Sequence, residues 1–195
     1  MRKVIDKTIK RKDIAKSTCN LFIQERFVNI SISQIAKVAG IGKGTIYEYF
    51  KNKEDIVFEL MSCLQEDYDP KLESNLKEAI DTKQKVIYLF NIFLSDDETT
   101  QIQRKIYKEF LAIYLSNPSQ DIIEYHISLK EKYSLILSNI IKTAITNGEL
   151  SPTAIDFVPS LFATIEGFFI ANENSKEQIL DYIDNLFILL KRDIK

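Results

Sequence analysis

The chain has 195 residues, of which 45% are hydrophobic and 28% charged. That is the composition of a globular protein with room for one sizeable core or two small ones. No apolar run approaches the roughly 18–20 residues of a membrane span; the best candidate, Leu161–Ala171, is short and contains Glu166. The net charge of −2 hides an asymmetry: residues 1–53 hold 12 Lys+Arg against 4 Asp+Glu, and the remaining residues hold 14 against 24. A basic first quarter on an acidic body puts a phosphate-binding surface at one end and keeps the rest off nucleic acid.

In chain order, the pattern is all-α, with no repeat, no low-complexity segment and no alternating strand signal. The basic start (Arg2, Lys3, Lys7) leads into no apolar h-region, so no secretory signal is expected. Cys19 and Cys63 lack metal or redox spacing and read as reduced thiols of a cytoplasmic protein. A first helix is expected over Lys7–Arg26, with Ile14, Thr18, Leu21 and Phe22 inward.

The stretch from Ser31 to Lys53, SISQIAKVAGIGKGTIYEYFKNK, reads as two short helices joined by a tight turn. Ser31 and Gln34 form a capping-box pattern. Ala36 is small where the helices cross, Gly40 tolerates positive φ in the turn, and Ile46 anchors the second helix. Three of the five glycines (Gly40, Gly42, Gly44) fall here. With Ile46 and Phe50 turned inward, Gly44, Thr45 and Glu48 point outward, Tyr47 and Tyr49 flank them, and Lys43 stands at the N-terminus. Such a helix suits a major groove entered by its N-terminal end. Gly44 allows close approach, and Thr45 can touch a thymine methyl or a polar base edge. Ser31 can offer its backbone amide to a phosphate at a helix N-terminus. Glu48 either accepts from a cytosine amino group or faces solvent at the mouth of the groove.

Beyond Lys53, a helix through Ile56, Val57, Leu60 and Met61 is expected to end near Tyr68, before Pro70, with a short helix over Leu72–Ile80. Lys83–Leu94 is apolar nearly all round and reads as a buried helix. Thr100–Leu115 follows, closed by Asn117-Pro118. The longest helix, Ser119–Asn147, carries the stripe Ile122, His126, Leu129, Tyr133, Ile136, Ile140, Ala144 and stops at Asn147-Gly148. In the penultimate helix, Pro152–Ala171, one side is apolar and another is a small-residue stripe of Ser160, Ala163, Gly167 and Ala171. The last helix, Ser175–Lys191, repeats Ile179, Ile183, Leu186 and Leu190. Surplus apolar surface on these two helices suggests a homodimeric four-helix interface that includes Ile183, Leu186 and Leu190, with internal packing of the same faces as the alternative.

The segment IAKVAGIGKGTIYEYFKNKEDI resembles the DNA-binding signature of the TetR family of bacterial transcriptional regulators, over about Ile14–Phe58. The resemblance implies an N-terminal three-helix helix-turn-helix domain (residues 1–53) and a C-terminal helical domain for ligand binding and dimerisation (residues 54–195). It assigns the hydroxyls of Tyr47 and Tyr49 to phosphates and makes Lys53 a phosphate clamp. Arg26 stands where the family usually has Gly, and Gly42 where it often has Ser or Thr. The implied partners are double-stranded operator DNA, a second copy of the chain and a small effector.

For the effector, Phe90, Phe93, Phe110 and Phe162 are candidate aromatic walls, with Ile113, His126 and the acids Glu109 and Glu166 beside them. An unpaired buried carboxylate costs several kcal/mol, so each acid either pairs within the fold, lies at a dimer interface or gives polarity to a ligand cavity. The third case favours a lipophilic cation. No catalytic arrangement surrounds the sole histidine, His126, and neither a metal nor a cofactor is expected. The run Asp96-Asp97-Glu98 suits a helix start. The expected function is a ligand-released repressor. A regulator controlled by a protein partner, or an activator, is the alternative.

Overall fold

The computed structural model describes residues 6–116, 118–171 and 175–191. The calls on Arg2, Lys3 and Asn117 lie outside them. Every regular element among the described residues is helical, apart from a single antiparallel bridge between Leu150 and Lys191. The chain divides into two compact units, Met1–Asp69 with Asp97–Ile122, and Pro70–Asp96 with Ile123–Lys195. This division by contact differs from a linear cut after residue 53, because residues 97–122 cluster with the N-terminal segment.

In the first unit, the expected opening helix is two: α1 (Lys7–Ser17) and α2 (Cys19–Gln24). Thr18 lies between them, and its buried hydroxyl donates to the Ala15 carbonyl at 2.7 Å, competing with the helical ladder. A 3₁₀ turn, Phe27–Asn29, leads to α3 (Ile32–Val38) and α4 (Lys43–Tyr49). Ser31 and Gln34 do close a capping box. The stop of α3 is a Schellman motif: Ile41 N–H donates to Ala36 O and Gly40 N–H to Lys37 O, with Gly40 at φ 65°. Ile46 and Phe50 are fully buried beside Ile35 and Ala36 in the same core.

α5 runs unbroken over Lys53–Glu78 with Pro70 inside it, where two helices were expected. Pro70 is exposed, so water can take the carbonyl freed by its missing N–H. The division between the compact units falls immediately before this proline. α8 (Glu98–Ser116) belongs to the first unit and packs against α2.

In the second unit, the apolar segment near residue 90 is two helices, α6 (Thr82–Leu89) and α7 (Asn91–Leu94), with Asp81 capping α6 by accepting from Gln84 N–H. α9 covers Gln120–Thr146, of which the residues up to Ile122 belong to the first unit and the rest to the second. Its buried stripe is Ile122, His126, Leu129, Tyr133, Leu137, Ile141 and Ala144. Leu137 and Ile141 are buried in place of Ile136 and Ile140, because the covered side of a helix is set by the neighbours packed on it and not by its period alone. Gly148, at φ 77°, ends the helix as expected. A 3₁₀ segment Pro152–Phe157 precedes α10 (Val158–Ala171), and α11 (Ser175–Leu190) packs on α10. The stretch Pro152–Ala171 is long and apolar enough to span a membrane by composition. It nevertheless buries Leu161, Phe162, Ile165 and Phe169 within its own unit and carries Glu166 among them.

Candidate nucleic-acid interface

The geometry of α4 follows from two buried anchors one turn apart. Ile46 and Phe50 fix the helix by one side, which leaves Gly44, Tyr47 and Glu48 exposed and Thr45 and Tyr49 half-exposed. Lys43, in the first turn, is also exposed. Among the described residues, none makes a side-chain hydrogen bond with the side chains of Lys43, Thr45, Tyr47 or Glu48. A Cβ placed on Gly44 would meet nothing within 4 Å. The helix therefore offers a smooth N-terminal end lined by polar groups that the fold does not use.

The surrounding charges are less free than composition suggests. Arg11, Lys12 and Lys16 of α1 pair with Glu59, Glu66 and Asp67 of α5. Hydrogen bonds to Glu66 and Asp67 raise Lys12 and Lys16 above the ordinary lysine value. Part of the basic excess of residues 1–53 is thus balanced by acids just beyond it, while Lys37 and Lys43 stay exposed and Lys51, also exposed, lies 3.8 Å from Asp121 Oδ2.

Residues 14–60 match the family model of bacterial regulatory proteins, tetR family. Over this segment the chain has the DNA-binding sequence of the TetR family of transcriptional regulators. The fatty acid metabolism regulator protein of Bacillus subtilis (strain 168) is 26% identical over 144 residues, covering 72% of this chain and 71% of that one. An HTH-type transcriptional regulator of Staphylococcus aureus (strain bovine RF122 / ET3-1) is 46% identical over 48 residues, 25% of this chain and 26% of its own. Among solved structures, a transcriptional regulator from Saccharomonospora viridis in complex with choline shares the fold at a TM-score of 0.76 and 17% identity, covering 93% and 98% of the two chains. A TetR-family regulator from Cytophaga hutchinsonii does so at 0.74 and 16%, covering 99% and 100%.

Two of the expected phosphate contacts are instead engaged within the fold. Lys53 Nζ donates to the carbonyls of Phe27, at 2.5 Å, and Ile30, at 2.8 Å, and sits 4.1 Å from the Phe27 ring centroid. Burial pushes its ammonium below the ordinary lysine value, with Glu54 opposing. The Ser31 amide donates to Gln34 Oε1 at 2.8 Å, so the capping box occupies the donor expected to face phosphate. The Lys53 arrangement was not visible locally, since the Phe27 turn lies 26 residues away, whereas the capping box at Ser31 is a local pattern.

The candidate ligand residues separate into two sets. Glu109, Phe110 and Ile113 lie on α8 in the first unit. There Glu109 accepts the Phe27 N–H at 2.8 Å, so α8 holds one side of the peptide chain that Lys53 holds from the other. A cavity of about 350 Å³ opens beside them, lined by Arg26, Phe27, Val28, Glu54, Glu109 and Ile113 among others.

Phe90, Phe93, His126, Phe162 and Glu166 lie in the second unit. Glu166 is buried, 3.4 Å from His126 Nε2 and 3.8 Å from Lys130 Nζ. Phe162 stacks on Tyr133 at 6.3 Å and tilts against Phe90 at 5.9 Å, and Phe93 meets Phe169 at 4.9 Å. Lys130, which the sequence reading passed over, stands one turn after His126 on α9, a spacing that could have flagged it.

The dimer candidates also divide. Ser160, Ala163, Gly167 and Ala171 are exposed on α10, with Ile170 beside them. Ile183, Leu186 and Leu190 are instead buried inside their own unit and cannot form the outer face of α11. The exposed apolar groups there are Ile188, at 72%, and Leu189, at 70%. Leu189 lies two turns beyond Tyr182, whose ring meets Phe168 of α10 edge-on at 5.7 Å.

Proposed function

We propose that this regulator is a cytoplasmic homodimeric repressor, read onto operator DNA by α4 and released by a small lipophilic organic cation. One observation carries the ligand class: the buried Glu166 carboxylate has beside it a cation, Lys130, whose ammonium also lies over the ring of Phe162, itself packed against Tyr133 and Phe90. Lys130 Nζ lies 3.8 Å from that carboxylate and 5.7 Å from the Phe162 ring centroid. It acts as a tethered stand-in for an ammonium ligand. Its side chain is more than a third exposed, so it can return to water when a ligand takes its place. Rings and a carboxylate together favour quaternary or aromatic ammonium groups. The choline complex of the Saccharomonospora viridis protein, which shares the fold, supports the same chemistry.

The dimer is proposed through the exposed α10 stripe with Leu189 of α11. Two subunits would place their α4 helices in successive major grooves, half-sites about 34 Å or a multiple apart. Release requires the ligand to bind a DNA-incompetent state more tightly than the competent one. A second reading is favoured by Lys130 itself and by the Bacillus subtilis relative named for fatty acid metabolism: a carboxylate ligand held by that ammonium.

Calorimetry separates the two. Choline and benzyltrimethylammonium should bind the wild type, bind Lys130→Met more tightly and bind Glu166→Gln about tenfold or more weakly, the scale of a lost charge pair in a desolvated site. A long-chain fatty acid that binds the wild type and fails with Lys130→Met, while both cations fail, overturns the cation reading.

A further inference from the structure

By charge alone, Arg11 belongs with the phosphate-binding residues of a basic N-terminal segment. Its surroundings say otherwise. The side chain is half-buried, its Nε donates to Glu59 Oε2, and its Nη1 donates to the Tyr49 backbone carbonyl at 2.5 Å. The guanidinium carbon lies 4.4 Å from the centroid of the buried Phe50 ring.

Tyr49 and Phe50 are the last residue and the C-cap of α4. The helix has seven residues and no basic residue in its last turn, and Phe50 leaves it in an extended conformation at φ −133°. The turn that ends α3 by a glycine motif has no counterpart here. A helix this short is not stable alone, and its final carbonyls need partners from outside. Arg11 supplies a fork: one arm on the terminal carbonyl, one arm on an acid of α5, the plane over the anchor ring. A positive charge at this end also complements the helix dipole.

We infer that Arg11 is a positioning residue for DNA reading, holding the C-terminal end of α4 so that its exposed face keeps one orientation. It touches no nucleic acid. The inference rests on α4 being the DNA-reading helix, and the guanidinium geometry is what the function needs: lysine has the charge but cannot bridge Tyr49 O and Glu59 while lying flat on Phe50.

The test uses full-length protein and a duplex enriched by the wild type from a randomised pool, with poly(dI-dC) as the unselective competitor. Arg11→Lys and Arg11→Met should both lose roughly tenfold in preference for the enriched duplex, about the discrimination of one misplaced bidentate base contact. Both should bind poly(dI-dC) with the wild-type salt slope. Glu59→Gln, which leaves Arg11 and α4 intact, should lose preference in the same direction by less. In the free protein, amide exchange at Phe50 and Lys51 should quicken in all three variants while Ile14 and Ile35 stay protected, which separates loosening of α4 from general unfolding.

If Arg11→Lys keeps full preference, the fork is irrelevant and the inference fails. If Arg11→Met lowers the salt slope by about one and Arg11→Lys restores it, Arg11 is a phosphate contact and the inference fails equally. Should the wild type enrich no duplex, the DNA-reading assignment of α4 falls instead, and exchange at Phe50 alone still decides whether Arg11 holds the helix end.

Discussion

Two exposed glycines, Gly44 on α4 and Gly167 on α10, stand in opposite chemical settings. Each lies in a helix, where glycine costs about 0.5–1 kcal/mol relative to alanine. At each, a Cβ would meet nothing within 4 Å, so the chain itself has no use for the missing side chain. Gly40 differs from both: its φ of 65° is the turn between α3 and α4, and the fold needs it. On the proposed function, each of these two glycines makes room for a partner. Around Gly44 stand Lys43, Thr45, Tyr47 and Glu48, a polar surface suited to a groove. Around Gly167 stand Ser160, Ala163, Ile170 and Ala171, a smooth, largely apolar surface suited to another helix.

The largest effect is expected at Gly167. Gly167→Leu leaves the free chain folded, because the space beside the residue is open. It should block close approach of a second α10, abolish the dimer in sedimentation and cost operator affinity about a hundredfold or more through lost bivalency. An intact dimer in that variant would move the interface elsewhere.

A smaller effect separates the inside of the helix-turn-helix from its outside. Lys53→Met removes the two hydrogen bonds that Lys53 makes to Phe27 and Ile30. Chemical denaturation should show a loss of about 1–3 kcal/mol, the range for charged hydrogen bonds to partly buried groups. The salt slope of DNA binding should not change. Unchanged stability with a slope lower by about one would return Lys53 to the phosphates.

What the sequence made legible was local. The capping box of Ser31 and Gln34, the glycine turn at Gly40 and the buried pair Ile46 and Phe50 each depend on residues within about one or two helical turns. What it did not make legible came from partners far along the chain. Arg11 meets Glu59 across 48 positions and Glu109 meets Phe27 across 82, and no periodicity reports such pairs. The same holds for Ile183, Leu186 and Leu190: a helix repeat shows that a face is apolar, not whether its own chain or a second copy covers it. Pro70 misled for a different reason, since an exposed proline can sit in a long helix at the cost of one backbone bond.

The central claim is that the N-terminal end of α4 is shaped by nucleic acid and not by the fold. Gly44→Ala tests it in one preparation, with unfolding free energy and affinity for the enriched duplex measured together. Stability should rise by about 0.4–1 kcal/mol, as for Gly→Ala at a compatible backbone position. Affinity should fall severalfold, because the added methyl group stands between α4 and the groove it enters. A variant that gains stability and keeps full affinity would show that nothing approaches Gly44, and would contradict the assignment of α4 as the reading helix.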